Sequence, residues 1–277
     1  MAGKKVAFQG ERGAYSEVAA RQLLGKKIIP VPCDSFETLF QIVENKKADF
    51  GIVPIENSLV GSIHKNYDLL LEHKLQVIDE IQLRVSHCLI APPGVSFKNI
   101  SKVYSHPMAL DQCRNFFKKN KTIAPISYYD TAGAVKMLAQ SGLKNSAALA
   151  SSYAAEIYKM KQVRKAIEDE KTNFTRFLLL GRKAAVFKGK AKTSIVFSLK
   201  NGPGVLFKAL SVFALRDIDL TKIESRPSRK KAWQYYFYAD FSGHINEERV
   251  NHALDHLAEI THFIKVLGSY PRRVDGI

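Results

Sequence analysis

The first 160 residues alternate short apolar runs of strand length with stretches of helical period, and this alternation restricts the fold more than any other feature of the 277-residue chain. Lys4–Gln9 reads as a buried strand, followed by the loop Gly10-Glu11-Arg12-Gly13-Ala14-Tyr15-Ser16 and a helical pattern through Leu24. Ile28–Pro32 is the next strand, Ser35–Asn45 a helix entered through Asp34 or Ser35, and Ala48–Ile55 a strand that ends abruptly in Glu56-Asn57-Ser58. A helix over Ser62–His73 and a long extended run over Leu75–Ala91 follow, closed by Pro92-Pro93-Gly94. The pattern then repeats as strand Lys102–Ser105, helix Pro107–Lys118, strand Ile123–Tyr129, helix Thr131–Ala139, strand Ala147–Ala150 and helix Ser151–Met160. Two such blocks predict α/β sheets in two lobes with a cleft between them, and ligands at the carboxyl ends of the strands.

Beyond Phe174–Leu180 the order changes. Arg182–Lys192 holds five basic residues and no acid, which reads as a linker. After it come strand Ser194–Lys200, helix Val205–Leu215, strands Leu220–Ser225 and Ala232–Phe241, helix Asn246–His262 and strand Phe263–Ser269. That is the split βαββαβ arrangement of a small regulatory or dimerising module.

Composition removes several classes. The chain carries 42 Lys+Arg against 26 Asp+Glu, a net charge of +16, but the excess is spread along the chain and its local runs adjoin turn-forming residues. No helix-turn-helix, aromatic-basic strand motif or zinc spacing accompanies it, so nucleic acid is not an expected partner. No apolar run approaches the ~18 residues of a membrane span, and the N-terminal stretch is too short for a secretory leader. The three widely spaced cysteines, Cys33, Cys88 and Cys113, fit reduced thiols of a cytoplasmic protein. His252 and His256 stand at metal-ligand spacing, but Val250, Leu254, Leu257 and Thr261 mark the apolar face of their helix and place both histidines towards solvent, so no metal is expected.

The chemistry-bearing candidates sit at strand ends. Gly-x-x-Gly over Gly10–Gly13 is neither a dinucleotide nor a P-loop pattern, and a tight turn explains it as well as a ligand does. Ser105 and His106 read as a helix cap and a hydrogen-bonded imidazole, or as part of a site. In Asn173-Phe174-Thr175-Arg176-Phe177 a threonine and an arginine interrupt an apolar strand. The arginine can grip a ligand carboxylate with two parallel bonds or pair with a structural carboxylate such as Glu168 or Asp169.

Taken in order, Gly10-x-x-Gly-x-Tyr15-Ser16, Pro54-Ile55-Glu56-Asn57-Ser58-x-x-Gly61, Ser105-His106-Pro107-x-Ala109-Leu110-x-Gln112-Cys113, Asp130-Thr131-Ala132 and Asn173-x-Thr175-Arg176-Phe177, with Gly202-Pro203-Gly204 and Glu224-Ser225-Arg226-Pro227 downstream, resemble the monofunctional bacterial prephenate dehydratases. The resemblance covers nearly the whole chain. It implies a bilobal α/β catalytic domain over residues 4–181, similar to type II periplasmic binding proteins, with lobes 4–80 plus 172–181 and 81–171. It also implies a basic linker over 182–192 and a ferredoxin-like ACT domain over 193–271. The implied reaction converts prephenate to phenylpyruvate, water and carbon dioxide in phenylalanine biosynthesis, without a cofactor, in a homodimer or homotetramer inhibited by phenylalanine.

On this resemblance Thr175 donates a hydrogen bond to the leaving hydroxyl and Arg176 holds a carboxylate. Glu56 is a candidate proton source, while Asn57 and Ser58 stand equally as groups that orient substrate. Tyr15, Ser16, Ser105, His106, Thr131, Ala132, Asn173 and Phe177 complete the substrate site. Phenylalanine is expected at Asn201, Gly202, Pro203, Gly204, Val205 and Leu206 with Glu224, Ser225 and Arg226. Met108, Gly133 and Val205 depart from the family's usual glutamine, alanine and alanine. A non-catalytic amino-acid sensor is the alternative; it would keep the clefts but has no need of Thr175.

Overall fold

The computed structural model describes residues 3–200, 202–228 and 234–273. The first block runs β1 (Lys5–Gln9), α1 (Tyr15–Leu24), β2 (Ile29–Cys33), α2 (Phe36–Glu44), β3 (Phe50–Asn57), β4 (Gly61–Ser62), α3 (His64–Glu72) and β5 (Gln76–Arg84). The second runs β6 (Cys88–Ala91), β7 (Lys102–Ser105), α4 (Pro107–Asp111), α5 (Arg114–Lys119), β8 (Ala124–Ser127), α6 (Thr131–Ser141), β9 (Ser146–Ala150), α7 (Ser152–Ile157), β10 (Lys161–Arg164) and β11 (Phe174–Gly181). The third runs β12 (Ala191–Leu199), α8 (Val205–Ala214), β13 (Leu220–Pro227), β14 (Tyr235–Ser242), α9 (Glu248–Ile260) and β15 (Thr261–Pro271). Among the described residues no helix is long and apolar enough to cross a membrane.

Among the described residues three sheets form. The first has the order β2-β1-β3-β11-β5, with β4 paired to β3, and β1 lies parallel to both β2 and β3. The second has the order β10-β6-β9-β7-β8, with β7 parallel to β8 and β9 and with β6 antiparallel to its neighbours. Both are mixed α/β layers. Leu39, Phe40 and Val43 share one face of α2 and are fully buried, as are Val6, Ala7 and Phe8 of β1. Helix starts follow local chemistry: Ser35, Asp130 and Ser151 accept from the backbone N–H groups of Thr38, Gly133 and Ala154.

The chain groups into two compact units, Met1–Asn66 with Ile81–Phe177 and Tyr67–Glu80 with Leu178–Ile277, so the boundary falls inside α3, β5 and β11. The second unit carries the βαββαβ order in a sheet β13-β14-β12-β15, antiparallel throughout. Ile195, Phe197, Ala239 and Phe241 bury one face of that sheet with Phe213 of α8 and Val250 and Leu257 of α9. Alternation turns Tyr236, Tyr238 and Asp240 to the opposite face. There the 67–80 segment is held: Tyr238 Oη donates to Tyr67 O at 3.2 Å, Arg226 Nη1 pairs with Asp68 Oδ1 at 2.7 Å, and Lys192 Nζ meets Glu80 Oε1 at 2.6 Å. Lys265 Nζ donates to the carbonyls of Leu70, Leu71 and His73 at the end of α3, where orphan carbonyls favour a cation.

Several elements depart from the periodicity. The helix expected over 107–118 is two, because Asp169 accepts from Asn115 N and caps a fresh start at α5, while the carbonyl of Gln112 accepts from Asp169 N. The extended run over 75–91 is broken at Val85-Ser86-His87. The short polar strand β10 gave no apolar signal, and β12 begins at Ala191, inside the stretch expected as a linker.

Candidate active site

A cavity of about 330 Å³ opens in the first unit. Its wall takes Gln9 from the end of β1, Pro54 and Asn57 from β3, and Thr175 and Phe177 from β11. It also takes the first turns of α1 (Ala14, Tyr15, Ser16), α4 (His106, Met108, Ala109) and α6 (Asp130, Thr131). Strand ends and helix N-termini thus meet at one place. Ala14, the N-cap of α1, has no side chain that could accept from that turn, so the helix presents its positive end. His106 Nδ1 accepts from Met108 N at 3.2 Å, which leaves the Nε2 edge to carry hydrogen.

The glycine loop exists to bring these parts close. A Cβ at Gly13 (φ +87°) would lie 2.7 Å from Ala154 Cα, and one at Gly10 (φ +107°) would lie 2.9 Å from Asp130 Oδ2. Buried Glu17 then locks the loop, accepting from Gly13 N at 2.8 Å and from Arg12 and Arg21. Both glycines are needed for a turn and for close approach.

Along the wall runs a chain of neutral polar groups. Asn57 Nδ2 donates to Thr175 Oγ1 at 2.9 Å and to Asn173 Oδ1 at 2.7 Å, and Asn57 Oδ1 accepts from Leu59 N and Val60 N at 3.0 and 3.1 Å. Asn173 Nδ2 reaches Gln112 Oε1 at 2.9 Å, and that oxygen also lies 2.9 Å from His87 Nε2. His87 Nδ1 lies 2.9 Å from Tyr15 Oη, which also bonds Ser86 O at 2.7 Å. Burial pushes the Tyr15 hydroxyl well above its ordinary range and holds the His87 imidazole below its own. Burial also raises the Asp130 carboxyl, against the opposing bond from Gly133 N.

Of the residues expected from sequence, Tyr15, Ser16, Asn57, His106, Thr131, Thr175 and Phe177 line the cavity. Asn173 stands one layer behind it. Ser58 is occupied elsewhere: its Oγ donates to Thr172 O and accepts from Phe174 N, fastening the start of β11. Ser105 is fully buried with Oγ on Leu149 O at 2.7 Å, and Ala132 is buried in α6. Glu56 pairs in register with Ser62 of β4 and is not on the cavity wall. Arg176 requires a correction. Thr175 and Phe177 both face the cavity, so strand alternation sends the side chain between them to the other face of β11. His87 drew no attention in the sequence, and Gln112 and Asp130 stood there only as motif residues without a place in the site. Gln112 was hidden inside an apparently continuous helix, and His87 inside an apparently continuous strand.

In the second unit, Ser198 and Arg226 both register against Tyr236, so β12 and β13 deliver Gly202–Leu206 and Arg226-Pro227 to the same end of the sheet. Gly204 (φ +70°) caps α8, and Lys222 pairs with Glu224 at 3.2 Å. Ser225 registers against Phe237. A cavity of about 310 Å³ beside Arg226 is lined also by Asp68, Tyr236, Phe263 and Lys265, and the Gly202–Leu206 loop does not reach it. Asn201 lies outside the described residues.

Comparison with known proteins matches residues 6–185 to the family model "Prephenate dehydratase" and residues 193–259 to "ACT domain". Arogenate dehydratase/prephenate dehydratase 2 of Arabidopsis thaliana is 49% identical over 96% of this chain and 72% of its own length. The structure of a prephenate dehydratase from Arthrobacter aurescens in complex with L-Phe superposes with a TM-score of 0.88 at 30% identity, covering 97% of this chain and 90% of that one. A structure described as GqqA, a novel type of quorum quenching acylase, gives 0.89 at 32% identity and covers 98% of both chains.

Proposed function

The chain belongs to the prephenate dehydratase family, a carbon–oxygen lyase of aromatic amino-acid biosynthesis with an ACT domain, and from that premise we propose the part each pocket residue plays. Prephenate is a dianion with a ring hydroxyl that leaves poorly as free hydroxide. In the reaction the bond to the ring carboxylate breaks and its electrons enter the ring. The C–O bond opposite breaks, and the departing oxygen takes up one proton. Carbon dioxide, water and phenylpyruvate result, with aromatisation driving the step.

The observation that carries the reading is the direction of the Asn57–Thr175 bond. Backbone N–H groups can only donate, so Leu59 and Val60 fix the oxygen end of the Asn57 amide and turn its nitrogen to Thr175 Oγ1. Thr175 is therefore an acceptor towards the protein, and its own hydrogen is directed to the cavity. A leaving hydroxyl needs such a donor. An attacking hydroxyl, as in an acylase, needs a base, and Thr175's partner is itself a donor. The substrate carboxylates fit the open first turn of α1 and the Nε2 edge of His106. Phe177 and Tyr15 keep water from the ring.

Two extensions belong to the same reading. Phenylalanine is the effector, bound at the sheet end where Gly202–Leu206 and Arg226 emerge. The enzyme is a cytoplasmic homo-oligomer, supported by the exposed apolar side chains Leu206, Phe207 and Leu215 on and beside α8 and by three buried free thiols. One observation favours a second substrate: the Asp130 carboxylate on the cavity wall suits the α-ammonium that arogenate carries in place of the keto group.

The test is direct. Purified protein is mixed with prephenate and phenylpyruvate followed by its enolate absorbance, with arogenate and phenylalanine formation run alongside and Thr175→Ala as control. Folded protein that makes neither product sinks the catalytic assignment in favour of a sensor. Addition of phenylalanine is expected to lower the rate and raise the melting temperature, and no change in either removes the effector.

A further inference from the structure

The direction imposed on Asn57 does not stop at Thr175. Asn57 Nδ2 also meets Asn173 at 2.7 Å, so the atom of Asn173 facing it is oxygen. The other end of Asn173 is then its nitrogen, which donates to Gln112 at 2.9 Å and makes the atom there the Gln112 oxygen. His87 Nε2 stands 2.9 Å from that same oxygen, and two acceptors cannot share the contact. From two backbone N–H groups, four amide and imidazole orientations follow without choice.

We infer that His87 is a positioning residue of the dehydratase, working with its proton on Nε2 and its Nδ1 as an acceptor. Its effect reaches the cavity by two routes. Towards Gln112, the Nε2–H holds the amide oxygen inward together with Asn173, leaving the amide nitrogen for the cavity that Gln112 lines. Towards Tyr15, the single hydroxyl hydrogen is shared between two acceptors, Nδ1 at 2.9 Å and the carbonyl of Ser86 at 2.7 Å. The tyrosine hydroxyl therefore gives its hydrogen inward and keeps its ring fixed on the wall. The cavity thus receives donors from Thr175 and Gln112, which suits a dianion. His87 is 2% exposed and its backbone N–H is bound by Glu168 Oε2 at 2.8 Å, so the ring has no freedom to turn to another partner. This role rests on the dehydratase reading, whereas the tautomer does not.

Two measurements test it. In substrate-free protein labelled with ¹⁵N-histidine, the resonances missing from a His87 variant are expected to show a neutral ring protonated at Nε2. An Nδ1–H tautomer or an imidazolium at neutral pH overturns the inference, even if the protein proves to be no dehydratase. In kinetics, His87→Gln places an amide near the former Nε2 and is expected to stay within about fivefold of the wild type in kcat/KM. His87→Asn leaves only the Tyr15 side served and is expected to lose about tenfold or more, the worth of one buried polar bond. Equal losses in both variants, tracking equal drops in melting temperature, assign His87 to stability alone and overturn the positioning role. If the wild type makes no product from prephenate or arogenate, it is the functional reading that fails, and the labelled spectrum still judges the tautomer.

Discussion

The cavity of the first unit and the polar face of the ACT sheet are both buried and both rich in hydrogen bonds, yet they are built in opposite ways. Along one side of the cavity, apart from Asp130, the groups are neutral amides, hydroxyls and an imidazole, strung in one direction from the N–H groups of Leu59 and Val60. A chain with a direction must end somewhere, and this one, as proposed above, ends in donors turned to the cavity. On the ACT face the groups are charged and closed on one another: Arg226 on Asp68, Lys192 on Glu80, and Lys265 on three carbonyls. Closed pairs leave little for a ligand and hold a segment of chain instead. The difference teaches that buried polarity marks a binding site when its bonds are left open at one end, and marks a fastening when they are closed.

The comparison can be broken most severely at Thr175. Thr175→Ala removes the terminal donor of the open chain and is expected to lower kcat by about 10²–10³ with KM nearly unchanged, measured by enolate absorbance; Thr175→Ser should recover most of it. On the closed side, Lys192→Met takes the close ammonium partner from Glu80, whose side chain is 4% exposed. Chemical denaturation should show a loss of about 3–5 kcal/mol, recovered in large part by adding Glu80→Gln. Asp68→Asn sharpens the contrast further, because phenylalanine at Arg226 must compete with Asp68. The variant should need several-fold less phenylalanine for half inhibition, read from inhibition curves, at a stability cost of about 1 kcal/mol. An unchanged inhibition constant removes Arg226 from the effector site.

The smallest effect is in pH. Burial lowers the His87 pKa, with its bond to Gln112 and nearby Glu168 opposing. A histidine depressed on folding binds more protons in the unfolded chain, so its contribution is present above the ordinary value of about 6.5 and is lost as pH falls from there through the lower folded value. Thermal melts should therefore show a stability decline beginning below about pH 6.5 that flattens in His87→Gln. Asp130, raised by burial, titrates with the opposite sign in the carboxylate range and does not mimic it.

Much of this was legible along the chain. The alternation of periods announced both α/β blocks and the βαββαβ module, and the polar strand ends at Gly10–Ser16, Asn57, His106 and Thr175 marked the cavity. Even the correction at Arg176 had a signal available, since Thr175 and Phe177 share one side of a strand and the residue between them cannot. His87 had none and Gln112 had only its place in a motif: the cap that breaks the helix before α5 comes from Asp169, more than fifty residues away, and His87 is defined by Tyr15, Gln112 and Glu168 from three separate segments. Nor does any local pattern say that residues 67–80 group with the ACT sheet, because the apolar period of α3 specifies that a face is buried and not which partner buries it.

By itself, then, the amino-acid sequence determined the fold class, most of the element order and the family, because each depends on local period or on motifs contiguous in the chain. The tertiary structure alone decided which groups meet Thr175 and His87 and which charges close on one another. Hydrogen-bond direction is settled by groups that meet only when distant strands and loops come together.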